Sequence, residues 1–157
     1  MDLERNGKGN NLTLQVLDGI LCHNGEFVSS KYEPVAKTKE SFLKEYEQCY
    51  KDPAMLTKLR PMTLEGCVVR ISDLIGYLGR DIEDAVRLGV LKKEEIPQSI
   101  TDVLGNTNSS IVNTIILDII APSLGKPYIS MSPEVFRAIV DLKKFNYQHI
   151  YDKANTK

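Results

Sequence analysis

The sequence predicts an all-α fold with one long central helix. Three observations predict it. Apolar residues recur at spacings of three and four through most of the chain. Capping residues precede these stretches, and Gly closes several of them. No segment carries the strict alternation expected of a half-buried strand.

Asn10 and Asn11 are candidate caps for a first helix with Leu12, Val16, Leu17, Ile20 and Leu21 on one side, ending near Asn24 and Gly25. A loop through Pro34 follows. The next helix is expected from Thr38 to about Tyr50, with Phe42, Leu43, Tyr46, Cys49 and Tyr50 as its apolar set. Pro53 and Pro61 bracket a connection. The third helix is the longest. Thr63 caps it, Gly89 ends it, and Leu64, Val68, Ile71, Ile75, Leu78, Ile82 and Ala85 form its buried seam. A short helix after Pro97 turns Ile100, Val103 and Leu104 inward and stops at Gly105. From Asn108 to about Ala121, the pairs Ile111-Val112, Ile115-Ile116 and Ile119-Ile120 repeat every four residues. The β-branched content favours a strand, but the period and length are helical. The last helix opens at Ser132-Pro133-Glu134, with Ser as cap, Pro at the first helical position and Glu against the dipole. Met131 and Phe136 have hydrophobic-staple spacing. Val135, Ile139, Leu142 and Phe145 continue inward.

The chain has 157 residues, 42% of them hydrophobic, which suits one domain spanning residues 1–157. Twenty Lys and Arg against 21 Asp and Glu give a net charge of -1, which speaks against a general nucleic-acid binder. No run reaches the roughly 20 apolar residues of a membrane span. The longest, Ile111 to Ala121, is interrupted by Asn113, Thr114 and Asp118. The opening Met-Asp-Leu-Glu-Arg-Asn lacks the apolar core of a signal peptide. Cys22, Cys49 and Cys67 are an odd set without C-x-x-C spacing, as expected of reduced thiols in the cytoplasm.

Opposite the seam of the long helix, Asp73, Tyr77 and Asp81 fall on one stripe, with Asp84 extending it. Gly76 and Gly79 edge the stripe. Each costs about 1 kcal/mol relative to Ala inside a helix, so a partner helix or a ligand is expected to approach there. The competing expectation is a solvated face, with Arg70, Arg80 and Arg87 beside it. His23 is expected at the end of the first helix, capping it or facing a cleft. His149, in the tail among Tyr147 and Tyr151, is expected at the surface or in packing. Residues 106–110 lack the Gly-x-x-x-x-Gly-Lys pattern of a phosphate loop and read as a loop and cap. The segment Lys92-Lys93-Glu94-Glu95 reads as a solvated charge cluster. Cys67, next to Val68 and Val69, is expected to be buried and inert.

The segment from Glu65 through Val68-Val69, Ser72-Asp73-Leu74-Ile75-Gly76-Tyr77 and Asp81-Ile82-Glu83-Asp84 resembles the C-terminal signature of the HD-domain deoxynucleoside triphosphate triphosphohydrolases, the dGTPase-like family. The family pattern there is Glu-x-x-Val-Val, Ala-Asp-x-Ile-Ala-Tyr and Asp-x-x-Asp. Leu12-Thr13 through Val16, Gly19-Ile20 and His23 is similar to that family's Leu-Thr-x-x-Val-x-x-Gly-Ile-x-x-His stretch. Met131-Ser132-Pro133-Glu134-Val135, with Phe145-Asn146-Tyr147 and Ile150-Tyr151, resembles the tail after the catalytic core. The three blocks occur in the family's order and cover most of the chain.

The resemblance implies that Asp73 is the last metal ligand of an H…HD…D site for Mg, Mn or a similar divalent ion. It implies that Tyr77 and Asp81 meet the sugar and phosphate end of a deoxynucleoside triphosphate. The implied reaction releases a deoxynucleoside and triphosphate. The chain departs from the pattern in one respect: it has two His and no His-Asp dipeptide. The resemblance therefore implies the C-terminal half of a hydrolase, a helical fragment of the HD-domain fold. Such a fragment binds no metal tightly by itself and is inactive alone. Its expected partners are the missing N-terminal half or further copies of itself. The alternative is a non-catalytic helical module, a pseudoenzyme remnant kept for interaction or oligomerisation. A third possibility is a metal-dependent phosphohydrolase acting on another nucleotide.

Overall fold

A computed structural model of the chain describes residues 4–24 and 28–152. Among these the architecture is all-α, with seven helices and one small strand pair. The helices are α1 (Glu4–Gly7), α2 (Leu14–Cys22), α3 (Lys39–Lys51), α4 (Leu64–Arg87), α5 (Gln98–Leu104), α6 (Asn108–Ser123) and α7 (Pro133–Asn146). A π-helical turn, Tyr147–Tyr151, continues α7. Strands β1 (Lys31–Tyr32) and β2 (Ile129–Ser130) pair antiparallel, with Lys31 opposite Ser130 and Tyr32 opposite Ile129. Two residues a side are too few to show an alternating pattern in the sequence.

Each long helix starts at a hydroxyl cap. Thr13, Thr38, Thr63, Thr107 and Ser132 accept from the backbone N–H three residues on, at Val16, Ser41, Gly66, Ser110 and Val135. Thr38 with Ser41, and Thr107 with Ser110, close the bond reciprocally. The first long helix therefore begins at Thr13 rather than at Asn10 or Asn11, and Asn11 lies in a left-handed conformation (φ 47°) that no helix start uses. It ends at Cys22 with His23 as the capping residue. Gly25, expected near that end, lies outside the described residues.

Helix α4 is the spine, about 36 Å long at 1.5 Å per residue over its 24 residues. It packs against α2, α6 and α7. Its buried side is Cys67, Ile71, Leu74, Ile75, Leu78, Ile82 and Ala85, joined by Ile100, Leu104, Ile111, Ile115, Ile139 and Leu142. The expected seam therefore shifts: Val68 is exposed, while Cys67 and Leu74 are fully enclosed. Gly89, with φ 68°, lets the chain leave α4 in a left-handed turn. Gly79 admits α6. A Cβ there would lie 2.7 Å from Asn108 Oδ1 and 3.0 Å from Asn108 Cα. Gly76 has open space around it, so the expectation of a close partner holds at Gly79 alone.

Two expected apolar faces are largely bare. On α3 only Phe42 is buried, while Leu43, Tyr46 and Tyr50 are exposed. On α6, Ile111 and Ile115 enter the core, and Ile116, Leu117 and Ile120 face outward.

Candidate nucleotide cleft along the long helix

The Asp73 stripe runs along the margin of the core, with Tyr77 packed against it. Asp73 is exposed, and Tyr77 and Asp81 are half-buried, each about 6 Å further along the axis. Asp73 borders an open groove of about 990 Å³ between α2 and α4, walled by Val16, Gly19, Ile20, Val69 and Ser72, with His23 and Glu65 at its edge. Helix periodicity explains this lining. Gln15, Val16, Gly19, Ile20 and His23 share one side of α2, and Glu65, Val69, Ser72 and Asp73 share one side of α4. His23 serves the helix end, where its Nδ1 lies 2.6 Å from Ile20 O, and the residue also borders the groove.

Tyr77 lines a second cleft of about 790 Å³, between α4 and the α7 end. There it meets Asn24, Lys143, Lys144, Tyr147 and Tyr151. Asp73 and Tyr77 thus border different clefts, one helical turn apart, and the successive residues His23 and Asn24 stand at one cleft each. Asp81 is held by Tyr151, whose hydroxyl donates to Asp81 Oδ2. Burial, and then the hydrogen bond to Asp81, push the Tyr151 phenol well above its ordinary value, so it stays a donor at neutral pH. The π-helical turn sets this contact by widening the helix end and carrying Tyr151 back across to α4. Asp84 pairs with Arg80 at 3.4 Å on the surface. His149 stacks on Phe145 (4.3 Å between ring centres) and serves packing.

The base of α2 is fixed by buried charges that periodicity does not reveal. Asp18, 1% exposed, accepts from Lys37 Nζ at 2.7 Å and from Met62 N at 2.6 Å. Lys37 also pairs with Glu45 at 2.7 Å. Burial alone would lower the Lys37 amine, but its hydrogen bonds to Asp18 and Glu45 outweigh that and hold it above its ordinary value. Arg70, expected on the solvated face, is instead buried. Its Nη1 donates to Leu59 O (2.5 Å) and Cys22 O (3.4 Å), tying α2 to the segment before α4. The clues available in sequence were an Asp inside an apolar helix and an Arg one turn from Cys67, and neither distinguishes a buried charge from a surface one. Burial, foremost, pushes the Cys22 thiol up to about 12 and the Cys67 thiol up to about 11, so both are inert small apolar groups at neutral pH.

Among the described residues no three His, Cys, Asp or Glu side chains converge on one point. Asp73, His23 and Glu65 border the same groove without forming a ligand set, so the described residues by themselves do not make up a complete divalent-metal site. No described helix is long and apolar enough to cross a membrane.

Comparison with known proteins gives a consistent set of relatives. The chain is 36% identical over 155 residues to a protein of Caldanaerobacter subterraneus subsp. tengcongensis named deoxyguanosinetriphosphate triphosphohydrolase-like protein. It is 35% identical over 154 residues to one of the same name from Clostridium perfringens, and 31% identical over 152 residues to one from Desulfatibacillum aliphaticivorans. These matches take in 95–99% of this chain but only 36–37% of each relative, so the chain spans little more than a third of the curated relatives' length. No family model and no solved structure matches it.

Proposed function

We propose, for a chain that is a relative of the deoxyguanosinetriphosphate triphosphohydrolase-like proteins over about a third of their length, that it forms the C-terminal part of a dNTP triphosphohydrolase. The observation that carries this reading is the stripe of α4, where Asp73 and Tyr77 border neighbouring clefts and Asp81, one turn on, is bonded to Tyr151 of the second cleft. Asp73 supplies one carboxylate to a divalent ion, a hard cation that favours oxygen ligands. The remaining ligands come from polypeptide beyond this chain, docked on the groove walled by Val16, Ile20 and Val69. Alone, the chain is inactive.

The chain's own contribution is binding and orientation. The Tyr77 ring offers a flat apolar surface to a deoxyribose. Asp81, fixed by the Tyr151 hydroxyl, offers a carboxylate acceptor to a sugar hydroxyl. Lys143 and Lys144 bring positive charge to the same cleft, suited to phosphate oxygens. A divalent ion held by Asp73 and by ligands from beyond this chain would polarise the α-phosphate, so that water could attack the α-phosphorus, the bond to the 5′ oxygen could break and the deoxynucleoside could leave with triphosphate as the other product.

Grafting this chain in place of the matching third of the Caldanaerobacter relative tests the reading, once that relative releases triphosphate from a dNTP in the same assay. The graft should hydrolyse the dNTP. Asp81→Asn should raise KM about tenfold or more, the loss of a charged hydrogen bond. A folded graft whose KM ignores both Asp81→Asn and Tyr77→Ala contradicts the assignment.

The outward apolar stripe of α6, Ile116, Ile120 and Leu124, favours a second reading as a non-catalytic association module. In that case Ile120→Glu abolishes self-association in sedimentation equilibrium and the graft stays inactive. A wild-type chain that sediments as a monomer removes this reading.

A further inference from the structure

On the side of α4 served by Arg70 there is a third cavity of about 440 Å³, between the β1 strand and the segment leading into α4. It is lined by four cationic side chains, Lys31, Lys58, Arg60 and Arg70, and by one carboxylate, Glu33. A local excess of positive charge in a protein of net charge -1 is notable because low-dielectric walls concentrate such a field.

The four cations differ in what already engages them. Lys31 pairs with Glu33 at 3.2 Å and lies 4.1 Å over the Tyr128 ring, so the one carboxylate is taken. Among the described residues, Lys58 and Arg60 have no ion-pair partner. Arg70 is 5% exposed, and its bonds run only to carbonyl oxygens, so this buried guanidinium lacks an anionic counterpart among the described residues. A buried charge without a counter-charge is unfavourable, and an anion entering the cavity would relieve it. The hydroxyls present do not compete for this role. Thr57 Oγ1 donates to Ala54 O, and Ser29 Oγ donates to Lys31 O. The lining therefore selects by charge, and its guanidinium forks match phosphate oxygens in particular.

We propose that the Lys58–Arg60–Arg70 cavity is a binding site for a polyphosphate group, distinct from the clefts on the Asp73 stripe. The ligand is either free inorganic triphosphate or the triphosphate tail of a nucleotide. The cavity lies within the volume range of small-molecule sites. The inference does not depend on the hydrolase reading, because none of its residues belongs to the Asp73 stripe.

Calorimetric titration of the whole chain, in phosphate-free buffer of low ionic strength, tests it with sodium triphosphate, dGTP and a deoxythymidine oligonucleotide as separate probes. Triphosphate should bind, and the double variant Lys58→Gln/Arg60→Gln should weaken it by about tenfold or more. Lys92→Gln/Lys93→Gln, outside this cavity and both clefts, should leave it unchanged, whereas a loss seen with Lys143→Gln/Lys144→Gln instead would place the binding at the Tyr77 cleft. Equal affinity for dGTP and triphosphate identifies the free polyphosphate as sufficient, and tighter dGTP binding identifies the nucleotide. Three results overturn the proposal: no binding up to about 1 mM triphosphate, loss with the Lys143/Lys144 pair instead, or displacement of triphosphate by equimolar oligonucleotide. Lys58, Arg60 and Lys144 are exposed and Lys143 is half-buried, and a circular dichroism melt verifies that each variant folds.

Discussion

Asp18 and Lys37 show how much of this chain rests on single buried charges. Neither side chain exceeds 3% exposure, and Asp18 also accepts from Met62 N. Asp18→Asn leaves the Lys37 amine paired with Glu45 and should lower stability by about 1–3 kcal/mol in urea unfolding. Lys37→Met should cost more, about 3–5 kcal/mol, because it takes the shared cation from both Asp18 and Glu45. Alkaline pH acts at the same place. The thiols of Cys22 and Cys67 ordinarily ionise near 9.0 but are held up to about 12 and about 11 in the folded chain. The unfolded chain releases those protons first. The stability they contribute is complete below pH 9.0 and is lost as pH rises towards 12, and the raised Lys37 amine adds a loss of the same sign that begins near its ordinary value of 10.5. Cys22→Ala should flatten the fall in urea midpoint between pH 9.0 and pH 11. An unchanged slope contradicts the burial of that thiol. At this scale the sequence was least legible. Arg70 and Asp18 carry the same letters whether wet or buried, and only tertiary neighbours distant in sequence, Leu59 and Lys37, decide which.

Among the elements, α4 and α6 meet where Gly79 faces Asn108. Gly79→Ala gains helix propensity of about 1 kcal/mol but drives a methyl into the Asn108 backbone, so it should destabilise the fold. Gly76→Ala has open space and should stabilise by about 0.5–1 kcal/mol. Thermal melts of the two variants shifting in opposite directions check the packing of α6 on α4. Helix positions were the legible part of the chain. Thr38, Thr63 and Ser132 were visible as caps, and Gly89 and Gly105 as stops, because capping is local chemistry. The bare faces of α3 and α6 were not legible, since periodicity shows which side of a helix is apolar and not whether anything covers it. The two-residue strands and the π-helical turn left no pattern, yet the turn is what brings Tyr151 to Asp81.

At the scale of the whole molecule, the stripe on α4 has the character of an edge rather than an enclosed site. Its carboxylate borders a groove walled by exposed Val16, Ile20 and Val69, and the relatives are nearly three times as long as this chain. An edge of this kind is legible in sequence as residues in order, but its clefts come from α2 and α7, which approach α4 from opposite ends of the chain. Under the proposed function, Asp73 supplies one ligand of a divalent ion and polypeptide beyond this chain supplies the others. The most direct test is the metal content of the graft into the Caldanaerobacter relative, measured by elemental analysis after dialysis against Mn2+ and beside the isolated chain. The graft should retain Mn2+ at about one per protomer, the isolated chain should retain none, and Asp73→Asn should strip the graft of its ion and of triphosphate release together. A graft that keeps its Mn2+ and its rate with Asn at position 73 would contradict the assignment.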